Sequence, residues 1–234
     1  MNYELFRTYQ PSDLDDQLHL FDRAAVLSTV YWSGFFRELR SIKYDTVIEC
    51  GVGRGKSLIQ ILSCLMVERN EYERDPVQVY ALDSFEGFPE PSKFDRSPRN
   101  SQKGDWSHSP SRRYKYSEKF LRLVLQRAGF PRPKNLKIIK GFFSQTCATI
   151  PKQSKVGILH LDGDLYESVR DPLLTLSSLL VRGGLIIFDD FLAKKTKTKE
   201  KFPGARKAFE EFQKANRHFK TKISIRGNPY LIKQ

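Results

Sequence analysis

Four short apolar runs constrain this chain more than any other feature. They read YDTVIEC (Tyr44–Cys50), VQVYALD (Val77–Asp83), VGILHLD (Val156–Asp162) and LIIFDD (Leu185–Asp190), and each finishes in or beside a carboxylate. A fifth run, Leu136–Lys140, has the same length class. Runs of 5–7 residues rich in Val, Ile and Leu are strands with both faces covered. Between them lie stretches with helical spacing: Lys56–Val67, Tyr116–Ala128 ending at Gly129, Pro172–Leu180 ending at Gly183–Gly184, and Ala205–Ala215. Strands alternating with helices predict an α/β fold, a doubly wound, Rossmann-like and mostly parallel sheet. The last two runs, Phe219–Arg226 and Tyr230–Lys233, have only Gly227–Pro229 between them and form an antiparallel C-terminal hairpin.

Residues 1–43 read as an N-terminal helical cap, with Leu14, Leu18, Phe21, Val26, Val30, Phe35, Phe36 and Leu39 at helical spacing. Its apolar helices would suit a homodimer interface. Residues 44–234 form the main domain, and residues 89–116 are too long for a plain connection and read as a lid-like insertion. No repeat and no linker interrupts this plan.

Composition narrows the class. At 39% hydrophobic residues the chain buries a real core, which excludes wholesale disorder. Cys50, Cys64 and Cys147 lie far apart, so neither a disulfide framework nor a cysteine zinc site fits. The longest uncharged N-terminal stretch, 24–36, is 13 residues, short of the roughly 20 that span a bilayer. Asp13, Asp15 and Asp16 precede it where a signal peptide needs positive charge. The expectation is a cytoplasmic protein without a membrane span. The net charge of +13 is concentrated: residues 92–116 carry +5 and residues 193–208 carry +6. Nucleic acid, a membrane surface or an anionic small substrate would each account for it.

In doubly wound sheets, ligands lie beyond the C-terminal ends of the strands. After the first strand comes Glu49-Cys-Gly51-Val-Gly53-Arg54-Gly55-Lys-Ser57, where glycines allow close backbone approach; a plain tight turn is the alternative. Glu49 would repel a pyrophosphate but accept hydrogen bonds from a cationic amino-acid group. The second strand ends in Asp83, then Ser84; an acidic residue there binds ribose hydroxyls, or else caps a helix. A nucleoside carrying an amino acid, S-adenosylmethionine, satisfies both positions. The fourth and fifth strands end in Asp162-Gly-Asp164 and Asp189-Asp190. Neighbouring strands lie about 4.8 Å apart, so Asp162, Asp189 and Asp190 can converge on a hard cation such as Mg²⁺. Helix capping, or pairing with the basic segments, is the competing reading. Asp164 belongs beside those ligands or at the cofactor, and His160 belongs to the core or just behind the ligands.

The set E-x-G-V-x-R-G-x-S, DSFEGFP, HLDGDLYES, GG…DDF and PGARKAFEEF, spread over roughly residues 44–215, resembles the macrocin/mycinamicin O-methyltransferase (TylF-type) family. The resemblance implies a seven-stranded class I methyltransferase sheet and S-adenosylmethionine- and Mg²⁺-dependent O-methylation of a sugar or glycosylated small molecule. It implies a metal site at Asp162, Asp189 and Asp190. It also implies a cofactor pocket at Glu49, Gly51, Gly53, Arg54, Ser57, Asp83, Ser84 and Asp162, with adenine near Gly141-Phe142-Phe143. The proton acceptor stays open between Asp162, Asp164 and His108 of the long loop. Leu165 stands where catechol-type relatives carry a Lys. The two basic segments follow strand ends, so they would border the mouth and steer an anionic acceptor. An RNA methyltransferase and a non-catalytic S-adenosylmethionine-binding protein are the alternatives. The position after the fourth strand reads Asp-Gly-Asp-Leu and lacks the motif of amino-methylating nucleic-acid enzymes, which disfavours a nucleic-acid partner.

Overall fold

The computed structural model describes residues 23–109, 112, 114–194 and 200–234, and side chains from 28 onward. Leu14, Leu18, Phe21, the side chain of Val26, Arg113, Lys195, Lys197 and Lys199 lie outside the described residues. The elements in chain order are α1 (Arg23–Glu38), β1 (Thr46–Cys50), α2 (Lys56–Tyr72), β2 (Gln78–Asp83), α3 (Glu118–Arg127), β3 (Leu136–Lys140), the single turn α4 (Phe143–Thr146), β4 (Val156–Leu161), α5 (Tyr166–Leu176), β5 (Leu180–Phe188), α6 (Pro203–Ala215), β6 (Phe219–Ile223) and β7 (Pro229–Lys233).

The seven strands form one sheet in the order β3-β2-β1-β4-β5-β7-β6. The first five are parallel, and β7 runs antiparallel to both β5 and β6. Alternation along the strands divides the core. Val47, Val79, Ile158 and Ile187 face α1, α2 and α3, while Ile48, Leu82, Leu159 and Phe188 face α5 and α6. Every residue of β1 and β4 is buried, as expected of central strands covered on both sides. The chain order reverses direction between β1 and β4, and that switch point is where a doubly wound sheet opens a crevice.

The structure departs from the sequence expectations in three places. Gly183 and Gly184 do not end a helix; they lie inside β5. Gly183 has φ +81°, and a Cβ there would stand 2.8 Å from Ile42 Cδ1, so the glycine permits a close crossing under the N-terminal segment. The preceding helix begins at Tyr166, six residues before Pro172, and runs through that proline. Its first turn is anchored from outside, because the Tyr166 N–H donates to Asp95 Oδ1 at 2.7 Å. Finally, the described part of the N-terminal helical cap packs onto the chain's own sheet. Tyr31, Trp32, Phe35, Phe36 and Leu39 belong to the same buried cluster as Val47 and Leu58, while Val30 is 51% exposed. The apolar face offered above to a dimer partner is covered by the chain's own sheet. No described helix is long and apolar enough to cross a membrane.

This packing predicts that α1 is integral to folding. Phe36→Ala should cost about 3–5 kcal/mol of unfolding free energy, whereas Val30→Ala should stay within about 0.5 kcal/mol. Denaturant unfolding of the two variants checks it; similar midpoints for both would contradict the shared core.

Candidate active site

A cavity of about 570 Å³ opens at the C-terminal ends of β1, β2, β3 and β4, floored by Gly51, Asp83, Gly141 and Asp162. Its floor is set by backbone hydrogen bonds that continue past the strands. Gly51 N donates to Leu82 O, Asp162 N to Cys50 O, Asp189 N to Leu161 O and Gly141 N to Asp83 O, all within 2.9–3.1 Å. At Gly51 (φ +91°) an added Cβ would fall 1.8 Å from the Asp162 carbonyl oxygen. Only glycine lets the two strand ends approach this closely.

Most residues singled out in the sequence line this cavity. Gly51, Gly53, Arg54, Ser57, Asp83, Ser84, Phe142, Phe143, Asp162, Asp164 and Asp189 are all on its wall. Asp83 also fastens the loops: Oδ2 accepts from Val52 N (2.9 Å) and Gly53 N (2.8 Å), and Oδ1 from Phe85 N (2.7 Å). Oδ1 keeps a second lone pair, so the carboxylate can still accept from a ligand there. The Ser84 hydroxyl donates to Gly87 O and accepts from Glu86 N, holding the next turn.

Glu49, His108 and Asp190 are not on the wall. Glu49 is 0% exposed and does not reach the wall; its Oε1 meets His160 Nδ1 at 3.2 Å. Register explains this, because Glu49 pairs with His160 across β1 and β4 and both side chains point to one face. Glu49 Oε2 and His160 Nε2 have no partner among the described residues. Burial alone would lower the His160 pKa, yet the Glu49 hydrogen bond and the charges of Glu49, Asp162 and Asp189 raise it above the ordinary value. Trp32 of α1 stands edge-on to that imidazole, centroids 4.9 Å apart. His108 is exposed, with Nδ1 2.9 Å from Ser107 Oγ, and is not on the cavity wall.

The carboxylates sort into two groups. Oxygens of Asp162, Asp164 and Asp190 lie within 4.8 Å of one another, and Asp164 N donates to Asp190 Oδ2 at 2.9 Å. Asp189 is not in that group; Arg226 Nη1 holds its Oδ1 at 2.9 Å. Burial pushes the Asp162 and Asp190 pKa values well above the carboxylate range, reinforced by the neighbouring charges, Asp189 first for Asp162 and Asp164 first for Asp190. Asp164 is raised to about 6 by burial, with the Asp190 contact and Arg99 pulling the other way. Three hard oxygen donors held together against their own repulsion fit an oxygen-seeking divalent cation.

Arg226 escaped the sequence reading. It sits in the β6–β7 turn, over the Tyr31 ring at 4.9 Å, and reaches the wall because β7 pairs antiparallel with β5. Once that pairing is known, a basic residue in the turn is the signal. Of the second basic segment, Arg206 is buried and holds Glu200 and the Leu192 carbonyl, and Lys207 pairs with Glu211 at 3.1 Å. These two charges serve the fold.

The Macrocin-O-methyltransferase (TylF) family model matches residues 41–224. The chain is similar to the 8-demethyl-8-(2,3-dimethoxy-alpha-L-rhamnosyl)-tetracenomycin-C 4'-O-methyltransferase of Streptomyces olivaceus, 32% identical over 153 residues, covering 62% of this chain and 52% of the relative. It is also similar to demethyldecarbamoylnovobiocin O-methyltransferase of Streptomyces niveus, 30% identical over 149 residues with the same coverages. The chain therefore spans about half the length of these curated relatives. Among solved structures, the calicheamicin methyltransferase CalS11 superposes with a TM-score of 0.71 at 18% identity, covering 98% of this chain and 90% of that one. The O-methyltransferase NovP gives 0.64 at 22% identity, covering 88% and 79%. These two likenesses establish the fold.

The crowded carboxylates give a pH prediction with a definite sign. Unfolded, the three ionise near 4; folded and without cation, they hold protons to higher pH. The folded state then binds more protons, so their contribution is full below pH 4 and lost as pH rises through the folded values, Asp164 at about 6 and Asp162 and Asp190 raised as well. In chelator, Asp190→Asn should raise Tm at pH 8 by about 2–4 °C, equivalent to about 1 kcal/mol, with the gain vanishing toward pH 4. A variant less stable than wild type at pH 8 would contradict this.

Proposed function

The chain belongs to the macrocin-O-methyltransferase (TylF) family, and from that premise we propose that it is an S-adenosylmethionine- and Mg²⁺-dependent O-methyltransferase acting on a hydroxyl of a sugar or glycosylated small molecule. The observation that carries this is the Asp162, Asp164 and Asp190 cluster at the edge of a cavity on the switch point of the sheet. When bound, the cofactor supplies an electrophilic methyl group and the cation supplies Lewis acidity for a neighbouring hydroxyl.

The chain's residues supply position and the proton acceptor. Asp162 and Asp190 would hold the cation, with Asp164, the third carboxylate of the cluster, beside it and left for the proton. Asp164 takes the hydroxyl proton at its carboxylate, the role open earlier to Asp162, Asp164 and His108; it is on the wall, whereas His108 is not. The Asp164 backbone is in the left-handed region (φ +60°), and its N–H is tied to Asp190. That geometry aims the side chain at the cavity. The Gly51–Gly53 turn admits the amino-acid end of the cofactor, Asp83 accepts from the ribose, and Phe142 and Phe143 flank the adenine. The insertion 89–116 screens the acceptor from water.

The described wall carries the acids Asp83, Asp162, Asp164, Glu167, Asp171 and Asp189 against the cations Arg54, Lys56 and Arg226. An RNA backbone threaded through this acidic cavity would be repelled, which favours a small acceptor over RNA. A non-catalytic binder has no use for the carboxylate cluster.

Calorimetric titration with S-adenosylhomocysteine and with Mg²⁺ tests the proposal. Wild type should bind both, and Asp190→Asn should lose the Mg²⁺ heat. Asp164→Asn should keep both ligands while the rate of labelled methyl transfer to glycosides falls about 10²–10⁴-fold. Failure of wild type to bind S-adenosylhomocysteine would overturn the proposal.

A further inference from the structure

Outside the acidic cavity, the two basic segments meet in a second cleft of about 380 Å³, lined by Pro98, Arg99, Trp106, Glu200, Lys201 and Phe202. The segments are stitched together here, with Ser97 Oγ donating to the Lys201 carbonyl at 2.7 Å. Trp106 is on the wall of both the cleft and the main cavity, so the two spaces adjoin. Phe88 of the cavity and Phe202 of the cleft meet edge-on, centroids 6.3 Å apart.

Arg99 is built into this place with unused capacity. Its guanidinium lies 5.2 Å from the Phe88 ring centroid, 5.8 Å from Trp106 and 5.3 Å from Phe202. Nη1 is committed to Ser101 Oγ (2.8 Å) and Asp105 Oδ2 (3.0 Å). Nη2 and Nε have no hydrogen-bond partner among the described residues. Three aromatic faces and one carboxylate fix the fork while two edges stay available to a bidentate anion. Lys201 adds a second cation, and Glu200 does not cancel it because Glu200 pairs with Arg206. Trp106 keeps its indole 49% exposed at φ +65°, a conformation bulky residues rarely adopt. An exposed indole beside two cations offers a stacking face next to an anion seat.

We propose that the cleft formed by Arg99, Lys201, Trp106 and Phe202 is the acceptor's second subsite and takes the nucleoside diphosphate of a nucleotide-linked sugar. The diphosphate meets Arg99 and Lys201, the base stacks on Trp106, and the sugar reaches across Trp106 to Asp164. This divides the charges sensibly: the acidic cavity repels phosphates, and the adjoining cationic cleft holds them outside it. The inference rests on the O-methyltransferase reading of the main cavity.

The test is calorimetric titration of the full chain with dTDP, inorganic pyrophosphate and S-adenosylhomocysteine. Wild type should bind dTDP; Arg99→Gln should weaken it about tenfold or more, with S-adenosylhomocysteine affinity unchanged and Arg99→Lys intermediate. Trp106→Ala should weaken dTDP about tenfold but leave pyrophosphate alone, and Trp106→Phe should restore dTDP. Equal dTDP binding by wild type and Arg99→Gln would mark mere attraction to a chain of net charge +13 and overturn the proposal. Indifference of dTDP to Trp106→Ala would also overturn it. If S-adenosylhomocysteine binds and dTDP does not, the subsite falls and the O-methyltransferase reading stands. If neither binds, the methyltransferase reading fails first.

Discussion

The structure depends on a row of backbone hydrogen bonds that outlasts its own strands. From β3 to β5, the residue just past each strand end still donates to the neighbouring strand: Gly141 to Asp83, Gly51 to Leu82, Asp162 to Cys50, Asp189 to Leu161. Those bonds fix the registers at which four loops begin, and therefore where every side chain of the cavity floor starts. Side chains alternate along a strand, so a slip of one residue in β4 would exchange Asp162 with Leu161 across the sheet. The same row leaves no room for a side chain at Gly51. Sheet pairing, glycine turn and carboxylate placement are one constraint seen at three scales.

Charge within the site is distributed unevenly, and the unevenness is informative. Glu49 is matched by His160, Asp189 by Arg226, and Asp83 by three backbone N–H groups. Asp162, Asp164 and Asp190 receive no comparable neutralisation among the described residues, apart from the Asp164 N–H at Asp190 and the nearby charges of His160 and Arg99. Their raised pKa values follow from that deficit. A protein that needed only helix caps at these positions would not place three such groups within 4.8 Å. Protons or a bound cation would each relieve that deficit.

How far the sequence carried follows from the range of each interaction. Strand β3 is legible to the residue, and β2 to within one, because buried strands bounded by polar turns depend on local pattern. The meeting of Asp162 and Asp190 was legible in outline, since strand spacing alone brings such ends together; Asp189, expected as the third ligand, is held by Arg226, and Asp164 stands in the cluster instead. The cap helix was legible, but Phe35, Phe36 and Leu39 announce only an apolar face and not that the chain's own sheet covers it. The start of α5 was hidden because its anchor, Asp95, lies 71 residues upstream. Gly183 and Gly184 looked like a helix stop; the contact that requires Gly183, with Ile42, is equally non-local. Glu49 was assigned to the cofactor by its position at a strand end, but the parity of the pleat turns it inward to His160. Arg226 depended on pairing between β5 and β7, which periodicity does not encode.

The long segment after β2 is tied down more firmly than its length suggests, and this bears on how an acceptor would be met. Asp95 is buried, with Oδ2 accepting from both Ser92 N (2.7 Å) and Ser92 Oγ (2.6 Å) while Oδ1 takes the Tyr166 N–H. Phe88 N and O pair with Asp105 O and Gly104 N, and Ser107 O accepts from Tyr116 N. The segment is thus pinned at its base, at its middle and onto the β4–α5 junction that carries Asp162 and Asp164. Aromatic and cationic groups on such a segment are oriented before a ligand arrives, which lowers the ordering cost of binding. Asp95 thus joins this segment to the first turn of α5 through one carboxylate.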